Sequence, residues 1–108
     1  FALSIDKSDS TVQHVLDQIH RVESILTFDA KDRTIILWEL SKLYSELAQM
    51  VDNKRQKRWM KRSREYLEEA YNSLMDSAEN ITDEPSRSSF LNNVIDHREI
   101  IRAYKDTL

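Results

Sequence analysis

Residues 54–66 read KRQKRWMKRSREY, seven Lys or Arg within eleven residues, in a chain of 108 residues whose formal net charge is −3. The block carries +7, so the remaining chain carries −10. On a helix, Lys54 and Arg58, Lys57 and Lys61, and Arg58 and Arg62 sit four apart, and each like-charged pair costs about 0.2–0.5 kcal/mol. The cations also crowd the start of a helix, where the macrodipole favours acids. Arg55, Trp59, Arg62 and Tyr66, spaced four, three and four, form one stripe in which cations and aromatics alternate. Cations neutralise phosphates while flat rings stack bases, so Lys54, Arg55, Arg58, Trp59, Lys61, Arg62 and Tyr66 are candidates for binding a single-stranded nucleic acid or another polyanion, or an acidic protein segment. The competing reading is a solvated face balanced internally: Lys61 can meet Glu65, Arg64 can meet Glu68, and Lys54 and Arg55 follow the carbonyl end of the preceding helix. A pI near 5.6 weighs against a dedicated nucleic-acid module.

The histidines offer less. His14, Asp17 and His20 are spaced three apart and fan across roughly 120° of one helix, too wide for a tight ligand set. Di-iron bundles need two Glu-x-x-His pairs on facing helices, and Asp17-x-x-His20 is the nearest approach. His97 falls within an apolar stripe, where a boundary histidine bonded to a carbonyl or a side chain is the expected role. A phosphotransfer histidine wants small residues and a Lys one turn on, whereas His97 is followed there by Ile100 and Ile101, and His20 by Glu23 and Ser24. No hydroxyl nucleophile pairs with a base and an orienting acid by spacing, so the chain is read as non-enzymatic, without cofactor or metal.

Composition narrows the elements that position these residues. There is no glycine and no cysteine. Glycine-rich phosphate loops and Asn-Gly hairpin turns are excluded, as are disulfides and Cys-ligated zinc. A reducing compartment is compatible, and a cytoplasmic or other intracellular location is expected. The longest apolar run, Ile35-Ile36-Leu37-Trp38, is far shorter than a membrane span. Absence of an initiating Met and of a signal pattern reads most simply as a domain of a longer protein, with a mature processed product as the alternative.

Apolar spacing of three and four predicts an all-α domain of four antiparallel helices, at about 10–27, 30–51, 54–81 and 84–106, arranged as two helical hairpins. The first carries Val12, Val15, Leu16, Ile19, Val22 and Leu26 behind a capping box of Ser10 and Gln13. The second, capped by Asp29, carries Ile36, Leu40, Leu43, Tyr44, Leu47 and Val51. The third carries Met60, Leu67, Ala70, Tyr71, Leu74, Ala78 and Ile81. The fourth, opened by Thr82-Asp83-Glu84-Pro85, carries Phe90, Leu91, Val94, Ile101 and Leu108. Ile35 and Trp38 point away from the second stripe, so they are either buried by a further helix or form an apolar interface.

The segment LWELSKLYSELAQMVDNKRQKRWMKRSREYLEEAYNSL, residues 37–74, resembles a tetratricopeptide-type hairpin. Leu40, Leu43 and Tyr44 sit like its first helix and YLEEAYNSL like its second; the turn glycine and closing proline are missing and the helices are longer. The resemblance implies a helical-hairpin interaction module, stacked as a four-helix bundle or a short tetratricopeptide-like array. The expected function is a non-enzymatic protein–protein interaction or scaffold module contacting another protein or a neighbouring domain. Nucleic-acid or polyanion binding through residues 54–66 is the alternative.

Overall fold

The computed structural model describes the backbone of residues 2–28 and 33–107 and the side chains of residues 11–26 and 33–107. These residues are all-α, in five helices: α1 (Ala2–Phe28), α2 (Arg33–Met50), α3 (Asn53–Glu79), α4 (Glu84–Asn92) and α5 (Ile95–Asp106). No helix is long and apolar enough to cross a membrane among the described residues.

The centre of the fold is the α2–α3 hairpin. Its turn is short because Asp52 accepts a hydrogen bond from the Arg55 amide at 3.0 Å and caps α3. Contacts run in opposite directions along the two helices, Thr34 reaching Ser73 at 2.7 Å, Ser41 reaching Ser63, and Tyr44 lying against Trp59. At the crossing the two serines are buried and reciprocal. Ser41 Oγ donates to the Ser63 carbonyl at 2.9 Å, and Ser63 Oγ donates to the Ser41 carbonyl at 2.7 Å. Small side chains allow this approach, and satisfying each other removes the desolvation penalty of burying two hydroxyls.

Each face of the hairpin carries its own core. On one, Val15 and Ile19 of α1 pack against Leu40, Leu43, Tyr44 and Leu47. On the other, Ile100 of α5 is enclosed with Leu37, Leu67, Ala70 and Leu74, and Tyr71 stacks on Tyr104 with centroids 3.9 Å apart. The third stripe is met closely, Leu67, Ala70, Leu74 and Ala78 being buried.

The single fourth helix expected at 84–106 is instead two helices. Asn93 ends α4 and Val94, extended at φ −92° and ψ 121°, opens α5. The chemistry of the break lies in Ser88-Ser89 followed by Asn92-Asn93: Asn92 and Asn93 donate to the hydroxyls four residues back at 3.2 and 2.9 Å, and such side chains favour helix ends over interiors. His97 Nδ1 then donates to the Phe90 carbonyl at 2.7 Å, one of those the end of α4 leaves without a helical partner. Beyond the break the register changes. Val94 and Ile95 are exposed, and Ile100, which the expected stripe omitted, is fully buried.

Two expected starts also differ. Ser10 lies inside α1, which begins at Ala2, so Ser10 and Gln13 do not open that helix; residues 2–9 contain neither glycine nor proline to stop it. The expected cap Asp29 and the stripe residue Leu108 lie outside the described residues. At the α3–α4 turn, Asp83 accepts from the Ser86 amide and hydroxyl at 3.1 and 2.6 Å. There Arg87 donates to the carbonyls of Ala78 and Ile81 and pairs with Glu84 at 2.7 Å, a cation placed on the carbonyl end of α3.

The close serine crossing gives a measurable expectation. Ser63→Ala removes one buried hydrogen bond and is expected to cost about 1 kcal/mol, whereas Ser63→Leu forces the helices apart and is expected to cost about 1–3 kcal/mol beyond that. Urea unfolding of the two variants measures the difference, and a Leu variant as stable as the Ala variant would contradict the tight crossing.

Candidate interaction site

The basic block forms the first three turns of α3, and its two halves go to different places. Trp59 and Tyr66 turn inward. Trp59 packs on Tyr44 with centroids 5.6 Å apart, Tyr66 stacks on Tyr44 at the same separation, and both lie against the α1–α2 core. The Tyr44 and Tyr66 hydroxyls donate to one carboxylate oxygen, Glu23 Oε2 on α1, at 3.2 and 2.8 Å. The Arg62 guanidinium lies over the Tyr66 ring, 5.1 Å from its centroid. Thus three helices meet at a cluster of two phenols, a carboxylate and a guanidinium that is half-closed to solvent.

The electrostatics follow from that enclosure. Burial raises the Tyr66 phenol well above its ordinary range, and the Glu23 carboxylate that accepts its hydrogen bond adds to the rise, with Arg62 offsetting part. Tyr44 is raised chiefly by burial, with Glu23 again adding and Arg62 opposing. Ionising either phenol would place a second negative charge beside Glu23 in a poorly solvated setting.

The cations turn outward. Lys54, Arg55, Lys57, Arg58, Lys61, Arg62 and Arg64 are all exposed. Arg55 pairs with Asp52 at 3.8 Å and Arg62 with Glu65 at 3.7 Å. The expected Lys61–Glu65 and Arg64–Glu68 pairs do not form; Glu65 leans toward Arg62 instead of Lys61. No carboxylate among the described residues lies within pairing distance of Lys54, Lys57, Arg58, Lys61 or Arg64. Internal balance therefore neutralises only part of the block. The stripe of Arg55, Trp59, Arg62 and Tyr66 proposed from spacing is present on α3, but its aromatic members face the protein and its arginines face water.

Ile35 and Trp38 are half-buried. Trp38 packs against the α2–α3–α5 core, and the Lys42 ammonium sits 5.3 Å from its ring centroid. Sequence reading left open what covers this pair; for Trp38, α5 supplies part of the cover, because the break at residues 93–94 lets it return against α3. Beyond the end of α5 the same face opens into a groove of about 360 Å³ between α2 and α3. That groove was not foreseen, since its signal depends on where α5 stops.

His14 and His20 are exposed, and Gln13 donates to Asp17 at 2.9 Å. Among the described residues no three His, Asp or Glu side chains converge as a metal set. His97 sits against Phe90, its ring centroid 4.4 Å away, and holds the α4–α5 corner. Compared with protein-family models, curated proteins and solved structures, the chain matches none of them.

The phenol–carboxylate cluster predicts an alkaline weakness. The folded chain keeps its Tyr44 and Tyr66 protons at pH values where the unfolded chain releases them, so their contribution is complete below the ordinary tyrosine value of about 10 and is lost as pH rises beyond it. Urea unfolding followed from about pH 8 to about pH 11 is expected to show declining stability, and Tyr66→Phe to flatten that decline while lowering stability at neutral pH. A Tyr66→Phe chain with an unchanged alkaline slope would contradict the assignment.

Proposed function

We propose that this chain is a non-enzymatic helical interaction module that receives an acidic segment of a partner protein on the outward face of α3. The observation that carries the reading is the division of the basic block: five exposed cations without a carboxylate partner among the described residues, beside aromatics that pack inward. A face of charge without exposed rings suits flexible carboxylates, which need Coulomb attraction and no stacking platform. The resemblance of residues 37–74 to a tetratricopeptide-type hairpin supports the same class. Binding of single-stranded nucleic acid remains the second reading, favoured by those same unneutralised cations, and it would draw its affinity from phosphates more than from stacked bases.

Fluorescence anisotropy with labelled dodecaglutamate and labelled dodecathymidylate separates the two. The acidic peptide is expected to bind at low salt and weaken steeply as salt rises, charge reversal at Arg58 and Lys61 to weaken it further, and Trp59→Phe to leave it nearly unchanged. Preferential binding of the oligonucleotide, with a log–log salt slope of about −2 to −3 for three or four phosphates, would favour the second reading. Failure of both probes at low salt would overturn both.

A further inference from the structure

The groove between α2 and α3 lies on the face that α5 covers only in part. It is lined on α2 by Trp38, Ser45 and Gln49, on α3 by Met60, Arg64 and Leu67, and closed at one end by Ala103 of α5 and Thr107 just past that helix. From Trp38 to Gln49 it runs along about 16 Å of helix, or about three turns. Trp38, Met60 and Leu67 are the large apolar side chains of its lining, Trp38 packing with Leu67 in the α5-side core. Trp38 also carries an indole N–H that is buried without an acceptor among the described residues. A buried donor left in that state is unfavourable, and native chains seldom keep one without a reason.

The charged side chains that line the groove are Lys42, Glu46 and Arg64. Lys42 stands on the α2 side, where Glu39 reaches it at 3.2 Å, and Arg64 stands on the α3 side without a carboxylate partner among the described residues. Lys57, Lys61 and Arg64 are spaced four and three, so they continue the α3 lip as one row that joins the groove to the basic face. Glu46 is the one acidic side chain among the lining residues. A helix settling here would place apolar residues at i, i+3 and i+7 on the floor and carboxylates along the flank facing Lys57, Lys61 and Arg64.

We propose that the partner segment is an acidic amphipathic helix of about three turns, seated in the groove formed by α2, α3 and the end of α5. This rests on the interaction-module reading and adds to it the occupant's shape and position. A phage library of twelve-residue helical peptides panned against the whole chain tests it, with Ser45→Trp and Gln49→Trp as two independent groove-blocking variants whose folding is checked by circular dichroism. Enriched peptides are expected to carry apolar residues at helical spacing beside Glu or Asp, to bind either blocked variant at least tenfold more weakly, and to shift the Trp38 indole N–H resonance while leaving that of Trp59 in place. Acidic peptides that bind the blocked variants equally well, without moving the Trp38 signal, would overturn the groove and leave the interaction reading standing. Enrichment of peptides without excess acid would overturn the proposed occupant, and so would self-association that is abolished by Ser45→Trp in the absence of peptide binding. If neither library peptides nor dodecaglutamate bind, the interaction reading falls as well.

Discussion

Two phenols and one carboxylate meet where α1, α2 and α3 converge, Tyr44 and Tyr66 both donating to Glu23 Oε2. A carboxylate taken partly out of water needs such donors, and a buried phenol needs an acceptor, so each group makes the others' positions tolerable. The side chain of Glu23 is 29% exposed, which leaves it a share of solvent without leaving the contact to solvent alone. Through Tyr66 the cluster reaches α3, and through Tyr44 it supports Trp59. Remove the acceptor on α1, and the rings that alternate with the cations of α3 lose much of their reason to face inward. The charge of the basic block and its aromatics are thereby assigned to different tasks, the aromatics to packing and the cations to the surface.

The hairpin of α2 and α3 supports this arrangement because it is covered unequally. One face is matched by α1 along the stripe from Leu40 to Leu47. The other is matched by α5 around Leu37, Leu67 and Leu74, and then α5 ends beside Trp38. A helix pair tends to bury both of its apolar faces, so the length of the second face that no described residue covers stands out. The opening adjoins the row of Lys57, Lys61 and Arg64, so, among the described residues, apolar surface without a cover and cations without a carboxylate partner occur together.

Much of the fold was legible in sequence. Spacing located the stripes of α2 and α3 because both are long, periodic and free of breakers, so local propensity and tertiary burial agree. The split of the last helix was harder to see, since Asn92-Asn93 is a weak signal beside a continuous apolar pattern, and only the return of α5 against Tyr71 and Leu74 selects a new register. Ser10 looked like a cap because its neighbours fit the pattern, yet nothing before it stops a helix. For the site, spacing put Arg55, Trp59, Arg62 and Tyr66 on one stripe. It could not say which way that stripe faces, because this is decided by Glu23, a residue at 43 positions' separation from Tyr66.

The separation of rings from charges is most directly examined by a two-dimensional NOESY spectrum of the chain, recorded alone and with saturating dodecaglutamate. Cross-peaks between the Trp59 indole and the Tyr44 ring, and between the Tyr44 and Tyr66 rings, are expected in both spectra, with peptide contacts confined to the outward lysine and arginine side chains. Absence of the ring–ring cross-peaks, or their replacement by contacts between Trp59 and the ligand, would contradict the inward placement of the aromatics.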